Sequence, residues 1–526
     1  MSRPIQLATI LETVADAVPD RTAVITNHAE ATYTQLDQRA TRLANHLASQ
    51  GVGTGDHVAV HSRNRMEWVE AFFACFKIRA VPINVNYRYV EAELRHVYGD
   101  SECVAVICEP EYTEAIQVIR GDLPRLHHRL VIGEEYEAAL AAASGERNFG
   151  ERSSDDVYLI YTGGTTGMPK GVVWRHEDIT ISALNVGRQD ALIESVEALG
   201  TEAVERDTAA RIMACGPMMH GGTQWALGNA IVSGGVMILY SDHRFDPISV
   251  LDLMERSEAN SVTFMGDAMS RPVAEARLAE PDRWSLPNLV AVVNAAAGLS
   301  QGVRAQIREA FPGTFVMDNY GASETGSTGR RFDDGEAVSA PRFDCNADTT
   351  VLDEETGRRC AVGEVGKLAS TGHIPLGYWK DPEKTAATFP IFDGRRWVIP
   401  GDFAQIEADG SITVLGRGSV SINSGGEKIH PEEIEAALKE HPAVFDAAVV
   451  GTPSDRWGEQ VTAIVRLRDD VAASIEDLRS HCRSHVADYK VPKDVVLVET
   501  VPRTEVGKVD YRAASALALD LLGIAD

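Results

Sequence analysis

The sequence predicts an α/β protein in which a large N-terminal domain of layered α/β sheets is followed by a smaller α+β cap domain. Three observations lead there. Helical and extended hydrophobic periods alternate along most of the chain, a Gly/Thr-rich loop follows directly on a short apolar run at 157–161, and the pattern changes around 416–419.

Taken in order, residues 34–49 carry apolar side chains at Leu36, Ala40, Leu43, Ala44 and Leu47, the spacing of one helical face, and 57–61 reads as a short strand. A helix over 66–80, a strand over 81–85, a helix over 90–98 and a strand over 104–108 continue the alternation. Further on, the apolar runs 236–240, 262–265, 289–293 and 315–317 read as strands, separated by helical patterns such as 250–258 and 301–311. Such alternation predicts mostly parallel sheets. Past the change in pattern the order becomes helix (432–440), two strands (445–450, 461–467), helix (475–486) and strand (495–498), which divides the chain into domains 1–417 and 418–526. Residues 137–150 and 190–207, polar or alanine-rich, are expected on the surface.

A chain of 526 residues has ample length for a large core and more than one domain. Its seven cysteines are odd in number, scattered and without a CxxC pair, so neither a disulfide framework nor a zinc knuckle is indicated, and a reducing, cytoplasmic setting fits. No apolar run reaches bilayer length, and the first twenty residues lack the basic and apolar blocks of a signal peptide, so the protein reads as soluble. A formal net charge of −27 repels nucleic acid and anionic lipid as a whole. An anionic ligand must therefore be held by local cations and backbone donors.

Such a site is written at 161–171, Tyr-Thr-Gly-Gly-Thr-Thr-Gly-Met-Pro-Lys-Gly. Gly163, Gly164 and Gly167 let amide N–H groups converge on anionic oxygens, Thr162, Thr165 and Thr166 add hydroxyl donors, and Lys170 adds a charge able to reach outer phosphates. The loop predicts a nucleoside triphosphate. It is not a Walker A loop, because Pro169 and Gly171 stand where that motif needs Gly and Ser or Thr around its lysine.

Further motifs follow in order: 320–324 (Tyr-Gly-Ala-Ser-Glu), Gly401-Asp402, Gly416-Arg417, 426–433 (Gly-Glu-Lys-Ile-His-Pro-Glu-Glu) and 502–508 (Pro-Arg-Thr-Glu-Val-Gly-Lys). With the phosphate loop they resemble the acyl-CoA synthetase and luciferase superfamily of adenylate-forming enzymes, and the resemblance runs over essentially the whole chain. It implies a two-step reaction at one site. A carboxylate attacks the α-phosphate of ATP to give an acyl-adenylate and pyrophosphate, and the thiol of CoA then displaces AMP.

The resemblance assigns roles residue by residue. Lys508 is the lysine expected to bridge the substrate carboxylate and the α-phosphate, a task suited to a compact ammonium on a flexible stem. Glu324 is expected to hold Mg²⁺, with Thr166 assisting, since that ion takes one or two carboxylates plus phosphate oxygens. Tyr320 lies against adenine in relatives, flanked here by Asn319 and Gly321, and Ser323 stands where threonine is more common. Asp402 is expected to accept both ribose hydroxyls, and Arg417 to contact the same sugar. The segment 294–300 (Asn-Ala-Ala-Ala-Gly-Leu-Ser) occupies the place of a GGAP-type adenine contact: Ala295, Ala296 and Gly298 depart from that pattern, and Ala297 joins the nucleotide set.

His220 matches a histidine that borders the carboxylate and the thiol path, expected to orient substrate or gate the pocket. Gly221, Gly222, Thr223, Gln224 and Trp225, with Ala295 and Ala296, are expected to line the acyl site, whose small residues favour a bulky, branched, long or ring-bearing acid such as a steroid side-chain acid. Relatives rotate the C-terminal domain between half-reactions; the pivot here is Ser419, where Asp or Lys is common, and Gly425, Gly426 and Glu427 are expected along the CoA path. The expected partners are thus a small carboxylic acid and CoA, with a homodimer left open. Aryl-CoA, amino-acid-activating and luciferase-like enzymes, and a non-catalytic nucleotide-binding homologue, remain the alternatives.

Overall fold

The computed structural model describes residues 3–524 apart from 165–166, 185–192, 194, 207–208, 296–297, 334–340, 418–421, 425–426, 455–457, 470, 487 and 505–506, and apart from the side chains of 163, 164, 167, 417, 423, 427, 428, 458 and 489. Helix Tyr33–Ser49 shows how local sequence sets an element. Thr32 Oγ1 accepts from Gln35 N at 3.2 Å while the Gln35 side chain accepts from Thr32 N at 2.8 Å, a reciprocal cap that starts the helix. Its Leu36, Ala40, Leu43, Ala44 and Leu47 are all buried, as their spacing predicts.

Strands Val81–Asn84, His57–His61, Ala105–Cys108 and His128–Val131 form a parallel four-stranded sheet. A thirteen-stranded sheet holds a second parallel run in the spatial order Phe315–Ala322, Ala291–Asn294, Ser261–Phe264, Arg211–Ala214, Val236–Leu239, Thr22–Thr26. Beyond Phe315–Ala322 the same sheet turns antiparallel through Gly326–Phe332, Arg342–Cys345, Ile412–Arg417, Asp402–Ile406, Val365–Ser370 and Thr349–Leu352. This half departs from the mostly parallel expectation. The strands over 342–417 are four to six residues long and pair antiparallel with their neighbours in the sheet.

The stretches expected on the surface are corrected in part. Residues 196–205 form helix Val196–Glu205, which buries Val196, Leu199, Gly200 and Ala203. A Cβ on Gly200 would lie 3.1 Å from the Thr13 methyl and 3.5 Å from Ala17 Cβ, so glycine permits close packing on helix Leu7–Ala17. Residues 137–150 are mostly exposed as expected, Leu140 in helix Glu134–Ala142 being the only one of them buried.

The C-terminal unit has the expected order: helix Pro431–Glu440, antiparallel strands Val444–Ser454 and Gly458–Leu467, helix Ile475–Arg483 and strand Asp494–Leu497, then helix Tyr511–Leu522. It has a core of its own around Ile434, Leu438, Val449, Ala463 and Leu478. Helix Ile475–Arg483 stops short of 486, because Ser484 takes up the cap.

Buried imidazoles give the fold a pH dependence. Burial pushes His61, stacked on Tyr112 at 4.2 Å, down to about 3. Burial also takes His176 to about 3, and burial with His46 and His127 takes His128 to about 4, against an ordinary 6.5. Below 6.5 the unfolded chain binds protons that the folded one refuses, so stability is complete above that value and falls as pH drops toward about 4. Glu70 and Glu435, raised by burial, act in the opposite sense but are fewer. Unfolding midpoints should therefore decline on acidification from pH 7 to pH 4.5; a flat profile would exclude this assignment.

Candidate active site

The Gly/Thr-rich loop lies at the tip of a β-hairpin: strands Val157–Gly164 and Gly167–Arg175 pair antiparallel from Val157↔Arg175 to Gly164↔Gly167. The sequence indicated the first strand; the second was masked by Pro169 and two glycines. Thr165 and Thr166 lie outside the described residues, as do the side chains at 163, 164 and 167. Thr162 stands opposite Lys170 in the pairing. Lys170 Nζ donates to Asp381 Oδ2 at 2.5 Å, an exposed pair that holds the ammonium beside the hairpin and depresses the Asp381 carboxyl. Gly171 has no room for a side chain, since a Cβ would lie 2.8 Å from Leu159 Cδ2.

The 320–324 motif ends strand Phe315–Ala322 and joins the hairpin directly, because Trp174 Nε1 donates to the Ser323 carbonyl at 2.9 Å. Tyr320 packs against Phe343 with ring centroids 4.9 Å apart. Asn319 Oδ1 accepts from Ser327 Oγ at 3.2 Å, and a Cβ on Gly321 would sit 2.2 Å from the Gly326 carbonyl oxygen, so the motif's backbone is tightly turned. Glu324 is partly exposed and its Oε1 accepts from Tyr378 Oη at 2.9 Å. A neutral phenol orients that carboxylate without cancelling its charge.

Asp402 is buried at the start of strand Asp402–Ile406, in register with Arg417 on strand Ile412–Arg417. Asn294 is turned inward: its Oδ1 accepts from Gly266 N at 2.9 Å and its Nδ2 donates to Asp318 Oδ1 at 3.0 Å, which Arg304 also binds at 2.7 Å through Oδ2. Ala295 N donates to the Phe264 carbonyl at 3.0 Å; Ala296 and Ala297 lie outside the described residues.

His220 precedes helix Gly221–Val232 as its N-cap, and its Nε2 is buried with no hydrogen-bond partner among the described residues. Burial, then the charges of Lys508 and Arg88, push this imidazole down to about 4, so it is neutral at pH 7. Gly222 opens onto space, with nothing within 4 Å of a built Cβ, whereas at Gly221 Ile160 Cδ1 stands 3.2 Å away and Trp225 3.4 Å. Thr223 is buried, its Oγ1 2.8 Å from a Cβ built on Gly216. Gln224 points into the core, accepting from Tyr158 Oη at 2.6 Å and donating to the Met218 carbonyl at 2.8 Å. Its two polar ends are therefore engaged inside the fold.

Lys508 is exposed on a tight turn whose Thr504 N donates to the Lys508 carbonyl at 2.7 Å. Gly507 has φ +77°, and Arg503 braces the turn by donating to the Gly507 carbonyl at 2.6 Å and to Asp446 Oδ2 at 2.6 Å. Burial opposes the charge on Asp446, but the Arg503 hydrogen bond holds its carboxyl below the ordinary range. A Cβ on Gly507 would lie 3.8 Å from the Met265 carbonyl oxygen, and Met265 Sδ lies 2.9 Å from one on Gly216. Met265 thus links the lysine turn to the loop before His220. Arg271 stacking on Phe445 at 4.9 Å joins the same two lobes. The proposed pivot Ser419 and the loop residues Gly425 and Gly426 lie outside the described residues, as does the Glu427 side chain.

Two asparagines that sequence reasoning missed position the His220 loop. Asn84 donates to the Tyr161 carbonyl at 2.8 Å and to the Met219 carbonyl at 2.5 Å, and accepts from Tyr161 N at 2.8 Å. Asn64 donates to the Gly216 carbonyl at 3.0 Å and accepts from Met218 N at 2.6 Å. The available signal was position: Asn84 ends strand Val81–Asn84, and Asn64 follows His57–His61 by three residues, at the carboxyl edge of a parallel sheet where sites form.

Residues 11–379 match the model of the AMP-binding enzyme family, and 433–508 match that of the AMP-binding enzyme C-terminal domain. The chain belongs to the AMP-binding enzyme family. Within the family it is 43% identical to the 3-oxocholest-4-en-26-oate–CoA ligase of Rhodococcus rhodochrous, over 97% of this chain and 95% of that protein. It is 42% identical to a medium/long-chain-fatty-acid–CoA/3-oxocholest-4-en-26-oate–CoA ligase of Mycobacterium tuberculosis, over 98% of this chain and 96% of that one. Among solved structures, ATP-bound MatB from Rhodopseudomonas palustris is similar with a TM-score of 0.84 at 26% identity, covering 99% of this AMP-binding enzyme and 100% of MatB. No described helix is long and apolar enough to cross a membrane.

Proposed function

We propose that this AMP-binding enzyme is an ATP-dependent acyl-CoA ligase acting on bulky carboxylic acids, with medium or long acyl chains and steroid side-chain acids as the favoured class. The observation that supports the mechanism is that Met265 borders both the Lys508 turn, at Gly507, and the loop before His220, at Gly216, beside a neutral His220 whose buried Nε2 has no hydrogen-bond partner among the described residues. Two anions must meet there, and a cation is already present. Its relatives' names supply the substrate class.

In the first half-reaction a carboxylate oxygen forms a bond to the α-phosphorus of ATP, and the bond from that phosphorus to the bridging oxygen breaks, releasing pyrophosphate. Lys508 offsets the repulsion between the reacting anions, and its worth is greatest where charge develops. His220 Nε2 is suited to orient the acid by a hydrogen bond. Asp402 is suited to the ribose diol, the turn at 320–324 to adenine, and the 162–170 hairpin to the outer phosphates. In the second half-reaction the thiol sulfur attacks the acyl carbon, its proton passes to solvent, and AMP departs.

The donor set at Glu324 fits a magnesium ion: a partly exposed carboxylate, oriented by a neutral phenol, is a hard oxygen ligand. Glu324 would hold it, with Thr166 contributing a hydroxyl. Such an ion supplies charge neutralisation to the departing pyrophosphate. Rotation of the domain 418–526 about Ser419, with the 425–427 loop facing CoA in the second step, completes the proposal; a homodimer and a cytoplasmic location are compatible with it.

The test is AMP release from ATP across a panel of acids, with and without CoA. Release that requires both CoA and a long or ring-bearing acid is expected; release with acetate as the preferred acid would overturn the substrate class, and release without CoA the ligase reading. Gly222→Leu should lower kcat/KM for ring-bearing acids about 10-fold and spare short ones. There is room for that side chain, so folding is not at stake.

A further inference from the structure

The geometry points to a divalent transition-metal site, of the kind that takes Zn²⁺, formed by Glu440, His481 and His485 in the C-terminal domain. Glu440 is the last residue of helix Pro431–Glu440, and His481 lies on helix Ile475–Arg483, with His485 one turn later. One ligand atom from each lies within 4.8 Å of the others. Two imidazole nitrogens and a carboxylate oxygen are a donor set that zinc takes in three-ligand sites.

Tautomer chemistry sharpens the assignment. His485 Nδ1 lies 2.8 Å from the His481 carbonyl oxygen. Ser484 Oγ also lies 3.0 Å from His485 Nδ1 and donates to the same carbonyl at 2.7 Å, so with that hydroxyl's proton on the carbonyl, Nδ1 carries the proton and Nε2 presents a lone pair. That lone pair faces Glu440 Oε2 at 3.0 Å. Two acceptors at this distance need a positive centre between them, either a second proton or a metal ion. Tetrahedral zinc, with bonds of about 2.0–2.1 Å, sets neighbouring ligand atoms about 3.3 Å apart, against 3.0 Å between His485 Nε2 and Glu440 Oε2.

His481 supplies the independent observation. Its Nε2 is buried and has no hydrogen-bond partner among the described residues, a costly state for a polar nitrogen unless a ligand takes it up. Its ring lies 4.3 Å from that of His485 and 5.1 Å from that of His441, centroid to centroid. Backbone acceptors that fix imidazole tautomers are the usual outer support of such ligands. An ion here would tie the end of helix Pro431–Glu440 to helix Ile475–Arg483, two elements of the lobe that carries Lys508. None of the three residues is part of the adenylating machinery.

The full chain, made without a histidine tag and stripped with a chelator, is titrated with Co²⁺ and then with Zn²⁺. The expected result is one equivalent of cobalt with visible bands of a low-coordinate N/O site, displaced by zinc, and a zinc-dependent rise in unfolding midpoint. His481→Ala/His485→Ala should abolish the bound equivalent and that rise, and Glu440→Gln should weaken affinity at least about 10-fold, both with wild-type acyl-CoA ligase rates. Glu440→Gln keeps the side chain's size, so it reports even if the double variant folds poorly. Wild-type protein that binds no equivalent, or variants that bind as tightly as wild type, would overturn the site and mark any ion as adventitious only.

Discussion

Lys508→Ala is expected to lower acid-dependent exchange between pyrophosphate and ATP about 100- to 1,000-fold, while CoA thioester formation from supplied acyl-adenylate stays near the wild-type rate. The expectation rests on where the ammonium acts. Lys508 sits on a turn braced by Arg503 and Asp446, and it is close enough to His220 to depress that imidazole. A charge held there meets the carboxylate and the α-phosphate together, so its removal costs most where both are present in the transition state. The second half-reaction has no such meeting of anions. The substitution also removes one of the charges that act on His220, so the His220 titration followed by NMR should move up from about 4 toward 6.5. Equal loss in both half-reactions, or an unmoved His220 titration, would sink the assignment.

What was legible beforehand follows the range of the interactions. Strand His57–His61 and helix Tyr33–Ser49 announce themselves because their signals, an unbroken apolar core and a helical stripe, lie within the element. The site motifs were legible too, since Glu324, Asp402 and Lys508 each sit in a short string with a chemical reason for its composition. The groups that aim them were not. Asn84 acts on Tyr161 across 77 residues, Arg503 on Asp446 across 57, and Tyr378 on Glu324 across 54. No local pattern encodes such pairings; they exist only once the sheets have formed. The alanine-rich helix Val196–Glu205 failed for a related reason, because its small side chains signal burial only against the surface of helix Leu7–Ala17 that they fit.

Tyr378 and Glu324 make the second large prediction. Glu324→Gln keeps the size of the side chain and an oxygen able to accept from Tyr378 Oη, so the local geometry, with its 2.9 Å hydrogen bond, should persist. What disappears is one negative charge. If that charge holds magnesium against the departing pyrophosphate, exchange at saturating ATP should fall about 100-fold, and the magnesium concentration for half-maximal rate should rise. Tyr378→Phe leaves the charge but frees the carboxylate to rotate, and should cost nearer 10-fold, chiefly as a raised magnesium requirement. A purely structural role for Glu324 predicts the reverse order, with the isosteric glutamine harmless and the lost phenol hydroxyl the more damaging. The two variants, compared at limiting and at saturating magnesium, therefore separate a metal ligand from a loop brace by rank as well as by size.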